Sequence, residues 1–401
     1  MRYFLPSLLC LALTAAILAA APASPAALRV GLLLPLSGPM APAGQAARTA
    51  AEMGIQDAGG IDLQVVDTAG TSEGGRSAAK QLIESDRVQV MAGALSSPAA
   101  WAAAAVAESS GVPLLIFGAA ATAITEPPWQ HVFRINPPVE EKFATLASFL
   151  DRFSLKDRST VVFCEDRPPA MALSEMWLSA AATAGLDPLF RIPFAPDLVD
   201  YRPELARARV KKPSIAVLIA SAADGALMLR QGRQLNLAPA LVLGDAAGFA
   251  RPEFAAAGED STEYVCTLLP WAPSVPHAGV RRFVAAYRNR YGQSPGHHQA
   301  QAFAAMQVVA DAAARAGKPS RSALRRALST ANLATICGQV RFDPNSARPG
   351  QNRSSWLLVQ WQSGRLETVW PPNKASADPV FPFPPWRSGP RTNPAAAGSV
   401  R

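Results

Sequence analysis

Val88-Gln89-Val90-Met91-Ala92-Gly93-Ala94-Leu95-Ser96-Ser97-Pro98, the alanine-rich run up to Ser109, and Gly111-Val112-Pro113-Leu114-Leu115-Ile116-Phe117 together decide the fold class. Residues 88–92 are an apolar run of strand length. Ser97 is suited to cap a helix and Pro98 to occupy its first position. The spacing predicts a helix over 98–109 that stops at Gly111, followed by a second strand over 113–117. Strand, helix, strand in this order is the unit from which parallel sheets are built.

The same rhythm extends both ways. Upstream, 29–34 and 62–66 read as strands, and 44–57 and 77–85 as helices. Downstream, after a bridge through 129–135, helices at 140–152, 171–184, 202–209 and 223–235 alternate with strands at 160–164, 189–194, 214–220 and 241–243. Two such series predict an α/β fold of two doubly wound parallel-sheet lobes. A strand at 265–269 then leads to Pro270-Trp271, and helices at 279–291, 299–316 and 320–328 follow. Strands around 340–342, 356–361 and 366–370 close the fold, the last two joined by the turn Gln362-Ser363-Gly364. Helices that arrive after the second lobe is complete imply that the chain returns to the first. Repeated crossings of that kind form several hinge strands, suited to opening and closing over a ligand.

The 401 residues suit two domains, and a composition 49% hydrophobic and 17% charged suits a packed globule. The expected division is 28–138 with 272–342 as lobe I and 139–271 with 343–370 as lobe II. Residues 1–27 read as a secretory signal peptide: Arg2, then an apolar run too short to span a bilayer, then a cluster of small residues ending near Ala27. The expected location is therefore outside the cytoplasm. Residues 371–401 carry eight prolines and no apolar periodicity, and are expected to be an irregular, disordered tail. The net charge of +8 comes from scattered residues, with no basic run longer than Arg325-Arg326 or Lys211-Lys212, so nucleic acid is not an expected partner.

Catalytic patterns are weak. Gly70-Thr71-Ser72-Glu73-Gly74 fits G-x-S-x-G, but no oxyanion loop accompanies it, and a chance match is the better reading. His297 and His298 are adjacent and cannot face one metal from a helix. Neither a zinc-binding spacing nor a nucleotide loop occurs, so no metal, cofactor or enzyme activity is expected. Beyond Cys10, three cysteines remain: Cys164 reads as a buried thiol, and Cys266 with Cys337 is the one pairing to test.

Ligands of open parallel sheets bind beyond the carboxyl ends of the strands. That rule selects Ser96 and Ser97 at a helix start, where free N–H groups attract an anion, although the same residues also make an ordinary cap. It selects Gly118, Ala119 and Ala120, whose small side chains expose the backbone. In the second series it selects Ser221, a helix cap, and Asp245, placed either to meet a ligand ammonium or to cap a turn. Trp271 is placed either to wall a cleft or to pack at the domain junction.

These residues resemble a known family. Residues 28–39 (LRVGLLLPLSGP), Val90-Met91-Ala92-Gly93 with Ser96-Ser97, Gly111-Val112-Pro113-Leu114-Leu115, Gly338-Gln339-Val340-Arg341-Phe342-Asp343 and Val369-Trp370-Pro371-Pro372 look like the branched-chain (leucine/isoleucine/valine) amino acid binding proteins of ABC importers. The resemblance implies the type I periplasmic-binding fold, with two lobes, three crossings and a ligand in the cleft. It places the family's carboxylate-binding serine on Ser97 and its backbone contacts on Gly118 and Ala119. Its threonine falls on Ala120, so one hydroxyl is lost, and its acidic partner for an α-amino group falls on Ala246, beside Asp245. Positions of cleft aromatics fall near Ala43, Pro169 and Ser221. The expected function is periplasmic capture of a small amino acid, amide or organic acid by a monomer that hands it to an inner-membrane permease and ATPase. A sensory receptor module acting with a separate signalling partner is the alternative.

Overall fold

The computed structural model describes residues 27–56, 60–187, 189–245, 247–317 and 319–384. The expected signal peptide, apart from Ala27, and the tail beyond residue 384 lie outside them.

The first sheet has the order β2-β1-β3-β4-β5, built from β1 (Leu28–Leu34), β2 (Ile61–Asp67), β3 (Val90–Gly93), β4 (Leu114–Ile116) and β5 (Val132–Arg134). Every pair in it is parallel. Helices α1 (Ala41–Ile55), α2 (Ser72–Glu84) and α3 (Ser97–Ser110) connect its first strands. A parallel sheet covered on both faces needs strands that are apolar throughout, and all of β3 and β4 is buried. Each Leu or Val so buried contributes roughly 1.5–3 kcal/mol.

The second sheet repeats the plan. Strands β6 (Thr160–Glu165), β7 (Leu189–Phe194), β8 (Ile215–Ile219), β9 (Leu241–Gly244) and β10 (Cys266–Leu269) lie parallel in the order β10-β9-β8-β6-β7. Helices α4 (Glu140–Arg152), α5 (Pro168–Ala184), α6 (Arg202–Lys211), α7 (Ala222–Gln234) and α8 (Pro252–Gly258) surround it. The antiparallel hairpin β13 (Leu357–Gln362) and β14 (Arg365–Trp370) then extends the sheet beyond β10.

Between β10 and β13 the chain returns to the first sheet, as the late helices predict. Helices α9 (Val280–Tyr291), α10 (His297–Ala316) and α11 (Arg321–Ser329) join the core that holds Val30, Leu32 and Phe133. Alanine makes this packing close: Ala47, Ala50 and Ala51 of α1 share that core with Ala302, Ala305 and Met306 of α10. A Cβ on Gly75 of α2 would lie 2.4 Å from the Ala99 carbonyl oxygen of α3, so only glycine allows that approach.

Three expectations need correcting. Residues around 340–342 do not close a main sheet. They fall at β12 (Gly338–Arg341), which among the described residues pairs only with β11 (Asn332–Thr335), a strand whose exposed, partly polar residues give little periodic signal. Residues 371–384 are irregular but anchored, because the Gln360 side chain bonds both backbone groups of Val380 and the Phe383 N–H reaches the Ala240 carbonyl at 2.6 Å. Phe381 adds ring contacts with Phe149 and Phe153. The described cysteines are free: Cys266 sits in β10 and Cys337 in the β11–β12 turn, on different cores, while Cys164 is buried as read.

The chain crosses between the sheets at 135–139, 270–279 and 342–356. The first and third crossings are laced together, with Arg134 N–H on Gly350 O at 2.7 Å, Asn352 Nδ2 on Ile135 O at 3.0 Å and Trp356 Nε1 on Pro138 O at 2.9 Å.

Candidate ligand-binding cleft

Strand order reverses between β1 and β3 in one sheet and between β6 and β8 in the other. Such switch points leave a crevice beyond the carboxyl ends of the strands. The loops at those ends carry most of the residues selected from sequence.

On the first sheet, α3 begins one residue earlier than expected. Ser96 is its cap: its Oγ accepts from Ala99 N–H at 3.3 Å and donates to Gly70 O at 2.7 Å, tying the loop after β3 to the loop after β2. Ser97 is thereby released from capping. Its Oγ accepts the Ala121 N–H at 3.2 Å, which leaves the hydroxyl proton free to be donated. The two serines that sequence reading treated alike have different duties.

The loop after β4 divides similarly. Ala119 is buried, its N–H on Ala94 O at 3.0 Å and its carbonyl accepting from Asn136 Nδ2 at 3.0 Å, so both of its backbone groups already have protein partners. The Ala120 carbonyl is taken by Val139 N–H. Among the described residues, the N–H groups of Ser97, Gly118 and Ala120 have no protein acceptor. With the Ser97 hydroxyl they form a donor set at the positive end of α3, chemistry that suits a carboxylate.

Behind this loop stands Arg134, fully buried and missed by sequence reading. It donates to Ala121 O at 2.6 Å, Gln351 Oε1 at 2.6 Å and Thr125 Oγ1 at 2.9 Å. Burial draws its guanidinium down to about 10, against the pull of Glu140, so it stays charged at neutral pH. It holds the loop in place and adds positive potential beneath it.

On the second sheet, Ser221 caps α7 by accepting from Asp224 N–H at 3.1 Å, and its own N–H goes to the Glu165 carboxylate. Asp245 follows β9. Its Oδ2 receives Lys142 Nζ and the Trp177 indole N–H, each at 2.5 Å. Ala246 lies outside the described residues.

Residues 27–365 match the profile of the family described as Periplasmic binding protein. The chain belongs to the periplasmic binding protein family. Among relatives of this binding protein is the Leu/Ile/Val-binding protein homolog 7 of Brucella suis biovar 1, 26% identical over 398 residues, covering 94% of this chain and 99% of the relative. Among solved structures, the leucine binding protein LivK of Thermotoga maritima aligns with a TM-score of 0.67 at 22% identity, over 85% of this chain and 97% of that one. A solute binding protein of an ABC transporter from R. palustris, solved in complex with benzoate, aligns with a TM-score of 0.67 at 22% identity, over 88% and 98%. Together with the two parallel sheets, these matches establish the type I periplasmic-binding fold.

Within this binding protein, Trp271 takes its second reading. It is 1% exposed, packs on Phe283 and donates its indole N–H to Ile336 O at 2.9 Å, so it belongs to the junction and not to the cleft. It lines a small hollow where the crossings meet, with Asn136, His277, Gln301, Cys337 and Lys374. Burial, then the nearby Lys374 charge, lowers His277, and burial raises the Cys337 thiol. Ser72 is exposed on the first turn of α2, with no hydrogen bond to a histidine among the described residues.

Proposed function

We propose that this chain is the periplasmic solute-binding component of an ABC importer. It captures a small amino acid, amide or organic acid between lobe I (28–138 with 272–342) and lobe II (139–271 with 343–370), an acid's carboxylate meeting the donor set at the start of α3. The lobes close by hinge motion at the three crossings, and the closed monomer delivers its cargo to a permease and ATPase in the inner membrane. Closure follows from the ligand's higher affinity for the closed state.

One observation carries this reading: the donor set of Ser97, Gly118 and Ala120 lies at the switch point of the first sheet, where both sheet order and helix dipole favour an anionic ligand. Family membership and the ligands named for relatives, leucine and benzoate, support a small carboxylate-bearing solute.

The test is a thermal-shift screen of the purified chain against amino acids, amides and organic acids, with mass spectrometry of any metabolite that co-purifies. At least one carboxylate should raise the melting temperature, and Ser97→Ala should abolish most of that rise. Silence across the whole panel would defeat the proposal.

A further inference from the structure

Asp245 stands at the tip of β9, at the carboxyl end of the second sheet, and the protein supplies its own cation there. Lys142 reaches it from the first turn of α4, and the side chains are only 4% and 14% exposed. The Lys142 Nζ also lies over three rings, 5.8 Å from the Phe143 centroid, 5.5 Å from Trp177 and 5.7 Å from Trp356. Three aromatic faces and a carboxylate hold the ammonium on several sides, so it cannot leave without losing all of them at once. Trp177 donates to the same Oδ2, which fixes the carboxylate as well.

The other carboxylates at the strand tips are engaged too. Glu165 takes the Ser221 N–H, Glu140 meets Thr122 and Arg348, and Asp67 takes N–H groups of Leu36, Ser37 and Ala69. Asp166 at the end of β6 and Glu73 on the first turn of α2 stay exposed to solvent. The donor set at the start of α3 and in the loop after β4 is underlain by Arg134, which has no carboxylate within ion-pair distance among the described residues.

We infer that the cleft selects carboxylates lacking an α-ammonium group, with Lys142 as the specificity-determining residue because it holds Asp245 away from any ligand amine. The inference rests on the binding function proposed above and narrows its ligand class.

The test uses matched pairs that differ only in the ammonium: 4-methylpentanoate against leucine, phenylacetate against phenylglycine, and propionate against alanine. Calorimetry on the wild-type chain should show the ammonium-free member of the best-fitting pair binding at least about tenfold tighter, the value of one charged hydrogen bond left unmade. Lys142→Gln, which frees Asp245, should shift the ratio toward the amino acid by about tenfold or more. The double variant Lys142→Gln with Asp245→Asn removes both charges at nearly constant shape and should keep the wild-type preference. It serves as the readout if the single variant does not fold. A wild-type preference for the amino acid, an unchanged ratio in Lys142→Gln, or a gain of amino acid binding in the double variant overturns the inference while leaving solute binding intact. Binding of neither member of any pair overturns it too, and silence across the wider screen as well would take the parent proposal with it.

Discussion

Truncating Asp245 to alanine removes one end of a nearly dry ion pair and strands the other. Lys142 Nζ would keep its three ring contacts but lose the one anion it meets among the described residues, and the Trp177 indole N–H would lose its acceptor. Breaking a buried pair by removing one partner costs about 3–5 kcal/mol, because the desolvated charge that remains is uncompensated. The exposed Arg48–Glu52 pair of α1, with side chains 44% and 41% exposed, offers the contrast, since such i,i+4 pairs are worth about 0.3–0.5 kcal/mol. Asp245→Ala should therefore cost about 3 kcal/mol or more in urea unfolding, and Glu52→Ala less than about 0.5 kcal/mol. A double-mutant cycle with Lys142→Met should return a coupling of about 2–3 kcal/mol, since the second substitution removes the stranded charge. If Asp245→Ala costs under about 1 kcal/mol, the pair is solvated and the reasoning about its occupied carboxylate fails.

Other expectations follow from the same geometry. Ser97→Ala should weaken binding of the tightest ligand in the screen by about 10- to 100-fold in calorimetry, the loss expected for one hydrogen bond to a carboxylate, while Thr71→Ala, at the cap of α2, should leave affinity unchanged. Gly232→Ala should stabilise the chain by about 1 kcal/mol in urea unfolding, because the helix interior favours alanine by about that much. Its new Cβ would sit 3.9 Å from Leu205 and 4.0 Å from Leu237, beside an apolar hollow in the lobe II core, and a destabilised variant would show that this space is already filled. Burial holds His298 down to about 4 and lowers His297 well below the usual histidine range, the neighbouring His298 ring adding to the effect on His297. Both folded values lie below the ordinary histidine value of about 6.5, so their contribution is complete above that pH and fades as pH falls toward about 4. Unfolding of the His297→Gln, His298→Gln double variant should lose less stability than wild type between those limits, and parallel profiles would contradict the sign.

The fold was legible because its central strands are buried along their length and helices α2, α3, α7 and α11 carry side-chain caps. Residues 140–152 and 189–194 emerge with the bounds the apolar runs give them, since nothing in their packing competes with local preference. Where a tertiary contact decided the matter, the sequence was silent. Nothing local marks Ser96 rather than Ser97 as the cap, because the choice depends on Gly70 and Ala121 arriving from other loops. Lys142 looks like part of a solvated Glu-Glu-Lys helix start, although a cation in a first turn opposes the helix dipole and was a signal to follow. Arg134 carries no local sign of burial, since its acceptors lie at Ala121, Thr125 and Gln351. The anchored segment 371–384 escaped for the same reason: proline content speaks of backbone geometry, not of Gln360 waiting on β13 to hold it.

The most direct measurement is a crystal structure of the chain grown with the tightest carboxylate found by calorimetry. The ligand should lie between the two sheets, its carboxylate within hydrogen-bond distance of Ser97 Oγ and the Ala120 N–H, with Lys142 still on Asp245. A ligand seated elsewhere, or one whose amine has displaced Lys142 from that aspartate, would contradict it.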